Sequence, residues 1–250
     1  MKQILVRADD LGYSRGVNYG IMDSVRHGIV RSVGLMPNMP EAKNGFDLIK
    51  DLDVCIGQHT NICVGKPLCD PKDIPSLVDE NGNFKSSKTY RSAKEDFVDL
   101  EEVVLEIEAQ YEKFKEITGR KPGYFEGHAV ASDNFFKGLE IVAKRHGLHY
   151  LGMSFSGPVP FKNSWMASNF HFNDKDYDPF ETLKRMALAD YDENVVPMMV
   201  LHPVYLDAFI LKTSSLLKPR TLEVQMTIDP DVKQWLKDND VQVISYDEVK

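Results

Sequence analysis

Residues Lys2–Met36 read KQILVRADDLGYSRGVNYGIMDSVRHGIVRSVGLM, and this stretch decides the fold class. Lys2 to Ala8 is a short apolar run with strand character. Ser14 can cap a helix over Arg15 to His27, with Val17, Ile21 and Val25 on one face. His27 suits the last helical turn, and Gly28 supplies the stop. Ile29 to Met36 is again strand-like, and Pro37 ends it. Two strands joined through a helix pair in parallel, so the opening predicts a β-α-β unit.

The alternation continues outward from this unit. Glu41 to Lys50 predicts a short amphipathic helix and Asp53 to Gly57 a third strand. Asp99 to Thr118 is the clearest helix, with Val103, Val104, Ile107, Tyr111 and Phe114 at helical spacing. Its Glu101, Glu102, Glu106, Glu108 and Glu112 are read as a solvated face, and Gly119 and Pro122 close it. Strands are predicted at Gly123 to Gly127, Leu148 to Met153, Val195 to Leu201 and Val241 to Tyr246. Helices are predicted at Asn134 to His146, Pro179 to Asp190 and Leu222 to Asn239, the last broken at Pro230. About seven strands in β-α alternation predict a parallel sheet, open or closed into a barrel. The 250 residues favour a distorted (β/α) barrel, TIM-barrel-like, because such barrels run to roughly 250 residues. No G-x-G-x-x-G follows a strand, so a dinucleotide fold is unsupported. No repeat or linker interrupts residues 1–250, which read as a single catalytic domain. A segment from about 61 to 92 is rich in Pro, Gly, Asp, Ser and Lys. It reads either as a functional loop or as a disordered insertion.

Composition narrows the function classes. The net charge of -8 argues against a nucleic-acid partner. No run of about 18 apolar residues is present, so no membrane span is expected. The N-terminal MKQILVRADD lacks the features of a signal peptide, and the cysteines (Cys55, Cys63, Cys69) form no C-x-x-C. A cytoplasmic protein is expected, and any metal would be held by nitrogen and oxygen.

Active sites of parallel α/β folds lie at the carboxyl ends of the strands. Strand one ends in Asp9 and Asp10, strand three in Gln58, His59 and Asn61, strand four in Glu126 and His128, and strand six in His202. One histidine after a strand is more often structural than a ligand. Three histidines and an aspartate pair converging from four strands carry more weight. Two His and one Asp make an open metal site, and a further carboxylate can act as general base. Adjacent aspartates in an extended strand point opposite ways, so the backbone has to turn for both to face one site. A cap of the next turn is the structural alternative for either one alone. His27, His146, His149 and His171 are read as structural or solvated.

Ala8-Asp9-Asp10-Leu11-Gly12-Tyr13-Ser14, then Val17-Asn18-Tyr19-Gly20-Ile21, resembles the opening of the YdjC-like (ChbG-type) carbohydrate deacetylases. His27 to Ser32, Met36-Pro37-Asn38, Ile56 to Asn61, Gly127 to Ser132 and His202-Pro203 follow in the family's order. Arg220, Glu223 and Ile244-Ser245-Tyr246 also match, so the resemblance spans essentially the whole chain. It implies a (β/α) barrel and a hydrolase acting on C–N bonds of linear amides. The reaction is removal of acetyl groups from N-acetylglucosamine or chito-oligosaccharide substrates. It also implies one divalent metal ion on Asp10, His59 and His128, with Asp9 as the base. The family metal is magnesium, whereas two imidazoles suit Zn, Co, Ni or Mn better. Gln58 and Thr60 replace expected leucines, Val204 an expected glycine, and a further histidine after His128 is missing. These departures bear on which sugar is used.

The expected mechanism has His202 as the acid that protonates the leaving amine. Arg220 is expected to orient Asp9 or bind a sugar or phosphate oxygen, with a surface salt bridge to Glu223 as the alternative. Tyr13, Trp165 and Tyr205 can stack on a sugar or simply pack. The expected partner is an acetylated mono- or oligosaccharide, with a homodimer open. Rival readings are a metal-dependent sugar isomerase or phosphoesterase, or a non-catalytic carbohydrate-binding barrel.

Overall fold

The computed structural model describes residues 2–154, 156–168 and 176–250. Its first elements are β1 Lys2–Leu11, α1 Arg15–Arg26, β2 Ser32–Leu35, α2 Ala42–Ile49, β3 Cys55–Thr60, α3 Ser87–Ser92, α4 Leu100–Thr118 and β4 Phe125–Gly127. There follow α5 Asp133–His146, β5 Val159–Phe161, β6 Ser164–Ser168, α6 Pro179–Leu188 and β7 Val195–Leu201. The chain ends with α7 Ala208–Thr213, α8 Lys218–Ile228, α9 Pro230–Asp238 and β8 Val241–Ile244. The strands follow the path β4-β3-β2-β1-β7-β6-β5, and β8 pairs with β1. Every named pairing is parallel except that of β5 with β6. The sheet curls into a half-barrel, as the β-α alternation predicts.

The opening unit forms for the anticipated reasons. Ser14 caps α1 by accepting from the Val17 N–H, and β1 pairs in parallel with β2. Along β1, side chains alternate between two cores. Ile4, Val6 and Ala8 pack outward with α1 residues Val17 and Ile21. Leu5 faces inward with Tyr124, Met198, Val200 and Tyr246. One predicted strand differs from expectation. Leu148 to Met153 forms only one bridge, Tyr150 to Phe125, because β4 is three residues long and offers no longer ladder. The region after it holds the antiparallel pair β5–β6 instead. The last helical stretch is two helices, with Asp229 capping α9 and Pro230 in its first turn. His171 lies outside the described residues. Among the described residues, no helix is long and apolar enough to cross a membrane.

The segment from 61 to 92 is packed. Ile62, Ile74, Leu77, Phe84 and Tyr90 share a core with Val103 and Ile107 of α4 and Phe135 and Leu139 of α5. One stripe of α4 fastens it further, and this corrects the solvated reading of that helix. Glu106 is fully buried and accepts the N–H groups of Leu68 and Cys69, the latter at 3.0 Å. Glu102 accepts the Ser76 N–H at 2.7 Å. Gln110 accepts the Asn61 N–H at 3.0 Å and donates to the Asn61 carbonyl at 2.6 Å. Residues four apart on a helix share a face, so three polar side chains meet one loop.

A second buried carboxylate ties α8 to the end of β7. Glu223 is fully buried; it accepts the His202 N–H at 2.6 Å and the Tyr177 hydroxyl at 3.0 Å. It is therefore not the surface partner expected for Arg220. Burial pushes its carboxyl from 4.5 up to about 7, against the hydrogen bonds to His202 and Tyr177.

Two measurements check these roles. Glu106→Ala leaves two loop amides unpaired and is expected to lower the unfolding free energy by about 2–3 kcal/mol in urea denaturation. The raised Glu223 carboxyl favours the protonated fold, so its contribution is complete below pH 4.5 and lost as pH rises through about 7. Wild type should then lose about 3 kcal/mol relative to Glu223→Gln across that window. An unchanged difference at both ends would contradict this.

Candidate metal centre

β1 does not run straight to its end. Its pairing register with β2 shifts between Ala8 and Leu11, and Asp10 has φ 76°. That left-handed conformation, which aspartate tolerates better than most residues, turns Asp10 off the strand's alternation. Asp9 and Asp10 thereby reach the same region, as a shared site requires.

Asp10 is fully buried. Its Oδ1 lies 3.3 Å from His59 Nε2 and 3.1 Å from His128 Nδ1, and the two imidazole nitrogens are 2.8 Å apart. Arg220 Nη2 stands 2.8 Å from the other oxygen, Oδ2. The contacts to Asp10 are close in distance, but neither of its oxygens completes a hydrogen bond of good angle. Ligand atoms about 2 Å from one cation at tetrahedral or octahedral angles stand roughly 2.8–3.4 Å apart. The triangle of Asp10 Oδ1, His59 Nε2 and His128 Nδ1 has that size, and these three residues could hold a metal ion. On its far edge, His59 Nδ1 donates to Glu126 Oε1, so that the neutral ring presents the Nε2 lone pair to the triangle.

The electrostatics also favour positive charge here. Burial opposes ionisation of Asp10, but Arg220 and His128 hold its carboxyl well below the usual range. Burial likewise opposes protonation of the imidazoles. Glu126 and Asp9 nevertheless draw His59 well above its ordinary value, and Asp10 pulls His128 up to about 9. The Glu126 carboxyl is held down by His59 and Arg7 against its own burial. A second group, Asp9, His59 and Glu126, meets on the opposite side of the His59 ring. There the Arg7 guanidinium already supplies the positive charge, 2.6 Å from Asp9 and 3.7 Å from Glu126.

A cleft of about 420 Å³ opens over this centre. Asp9, His59, Glu126, His128 and His202 line it on the polar side, and Leu151, Met198 and Val200 on the apolar side. Burial lowers His202 to about 4, so it rests as a neutral imidazole. Arg220 is placed on Asp10 rather than on Asp9 and is absent from the cleft lining. Tyr13 is buried edge-on to Phe209, whereas Trp165 and Tyr205 are exposed away from the cleft lining. Arg7 was not singled out from the sequence, and Glu126, found there at the end of strand four, was given no orienting role. Arg7 carried a signal: an arginine in an apolar strand, two residues before Asp9 and so on the same face.

Comparison with known proteins follows this geometry. The family described as YdjC-like protein matches residues 3–238. Carbohydrate deacetylase 2 of Listeria innocua is 30% identical over 251 residues, covering 99% of this chain and 98% of that protein. Chitooligosaccharide deacetylase of Yersinia enterocolitica is 29% identical over 257 residues, covering 98% of each. A crystal structure of an Enterococcus faecalis protein named for cellobiose-phosphate cleavage superposes with TM-score 0.84 at 23% identity, covering 98% of both chains. A family 4 acetyl xylan esterase from Clostridium thermocellum superposes with TM-score 0.53 at 11% identity, covering 99% of this chain and 90% of that one. At those identities the structural likeness is one of fold. The match to the family model over residues 3–238, nearly the whole chain, makes this protein a member of the YdjC-like family.

Proposed function

We propose that this protein is a metal-dependent hydrolase that removes acetyl groups from acetylated carbohydrates of the N-acetylglucosamine or chito-oligosaccharide type. The observation that carries the reading is the buried Asp10–His59–His128 triangle, whose two histidines line one cleft together with a second, separate carboxylate, Asp9. The names of the relatives support the substrate class. The chain acts in this reading as one catalytic domain. The 61–92 segment forms part of the cleft wall, since Arg91 of α3 is among the lining residues.

Asp10, His59 and His128 would hold one divalent cation. When bound, it would polarise the acetyl carbonyl and lower the pKa of water. Two imidazoles and one carboxylate favour Zn, Co, Ni or Mn over magnesium, which prefers oxygen ligands. Asp9 accepts the proton of the attacking water as general base. Glu126 fixes the His59 tautomer, and Arg220 holds Asp10 instead of binding substrate. His202, on the same cleft, passes a proton to the leaving nitrogen. Because it is neutral at rest, the proton it passes is the one that Asp9 takes from the water. The apolar surface of Leu151, Met198 and Val200 gives the acetyl methyl a dry wall.

The reading predicts acetate release from N-acetylated oligosaccharides that stops on treatment with chelator and returns with added transition metal. Asp9→Asn should lower kcat by about 10²–10⁴-fold, the worth of a general base, without removing the metal. His128→Ala should lose metal and activity together. Chelator-insensitive acetate release, or full activity in either variant, would contradict the assignment.

A further inference from the structure

Arg7 interrupts an otherwise apolar run from Ile4 to Ala8 and is 5% exposed. A buried guanidinium is costly unless paired and hydrogen-bonded. Here both of its terminal nitrogens are engaged. Nη2 donates to Asp9 Oδ2 at 2.6 Å, and Nη1 donates to the Tyr246 hydroxyl at 3.1 Å. That hydroxyl donates onward to Met198 Sδ at 2.8 Å. The Tyr124 ring lies with its centroid 5.7 Å from Arg7 Cζ and is itself stacked on Tyr246 at 4.0 Å. The guanidinium is thus fixed by Asp9 of β1, Tyr124 just before β4 and Tyr246 just after β8, the last held in turn by Met198 of β7.

The two oxygens of Asp9 are consequently unlike. Oδ2 is committed to Arg7, whereas Oδ1 is buried and has no hydrogen-bond partner among the described residues. Gly34 on β2 keeps the space beside Oδ1 clear. A Cβ at that position would stand 2.8 Å from Oδ1 and 3.0 Å from His59 Cβ. Arg7 and Asp9 both line the cleft. Arg7 Nη2 is also 3.7 Å from Glu126 Oε2, so the same group steadies the carboxylate behind His59.

We propose that Arg7 is a positioning residue for this reaction: it clamps Asp9 through Oδ2 and thereby makes Oδ1 the proton-accepting atom. The inference rests on the deacetylase reading above. In that step the O–H bond of the attacking water breaks, its proton bonds to Oδ1, and its oxygen bonds to the acyl carbon as the C=O π pair moves onto the carbonyl oxygen. A lysine in place of Arg7 keeps the charge but lacks the planar fork that reaches Asp9 and Tyr246 at once.

The clamp is read without any reaction by observing the arginine side-chain N–H groups of ¹⁵N-labelled, metal-free protein. Wild type should give separate, slowly exchanging Nη signals for Arg7, and Asp9→Asn should average them. In acetate assays at saturating cation, Arg7→Met should lose about 100-fold in kcat, the effect of a misplaced catalytic group, with KM unchanged. Arg7→Lys should recover only part of that loss, and guanidinium ion should rescue Arg7→Ala. Averaged Arg7 signals in wild type would overturn the proposal. So would a folded Arg7→Met enzyme with wild-type kcat, or a loss accounted for by weaker cation binding. Wild-type protein that released no acetate yet kept locked Arg7 signals would contradict the deacetylase reading and leave the clamp supported.

Discussion

The centre depends on one backbone conformation, the left-handed turn at Asp10. On a regular strand, Asp10 would follow Ala8 to the outer face and meet the apolar core against α1. With φ 76° and a shifted register, its carboxylate instead meets His59 and His128. A non-glycine residue in this region is disfavoured by about 1–2 kcal/mol, so the surroundings must hold it there. Arg220 does so from α8, 2.8 Å from Oδ2, and the two imidazoles complete the enclosure. Asp9 keeps the strand's alternation and so stands beside Asp10 while differing from it in partners.

The rest of the centre follows from how buried charge is neutralised. Asp9, Asp10 and Glu126 are three carboxylates in a nearly dry region, and two arginines, Arg7 and Arg220, meet them. Each guanidinium takes a different aspartate. The pairings divide the adjacent acids into one suited to a cation and one suited to a proton. Glu126 serves the His59 ring and thereby joins the two halves. Removing any single member leaves a partner buried and uncompensated, which is far costlier than its contact alone suggests.

Much of this was legible in the sequence because it is local or periodic. The Lys2–Met36 unit has a short apolar strand, a capped amphipathic helix and a second strand, and each signal acts within a few residues. The strand-end rule then gathers Asp9, Asp10, His59, Glu126, His128 and His202 without knowledge of distances. What escaped it was set by non-local packing. Glu106 looks solvated on a helical wheel, yet the 61–92 segment folds over it and gives it amides to accept. Arg220 was expected near Asp9 and meets Asp10, because the left-handed turn decides which acid faces α8. The stretch Leu148 to Met153 is apolar enough for a strand, but its neighbour β4 is three residues long and pairs with it through one bridge.

Cobalt titration of the metal-free protein, followed by the visible absorption of the bound ion, tests the central claim most directly. The account predicts one Co²⁺ per chain, with the absorption lost in Asp10→Ala, His59→Ala and His128→Ala alike while Asp9→Asn retains it. Absence of cobalt binding in wild type, or binding that survives all three of those substitutions, would contradict it.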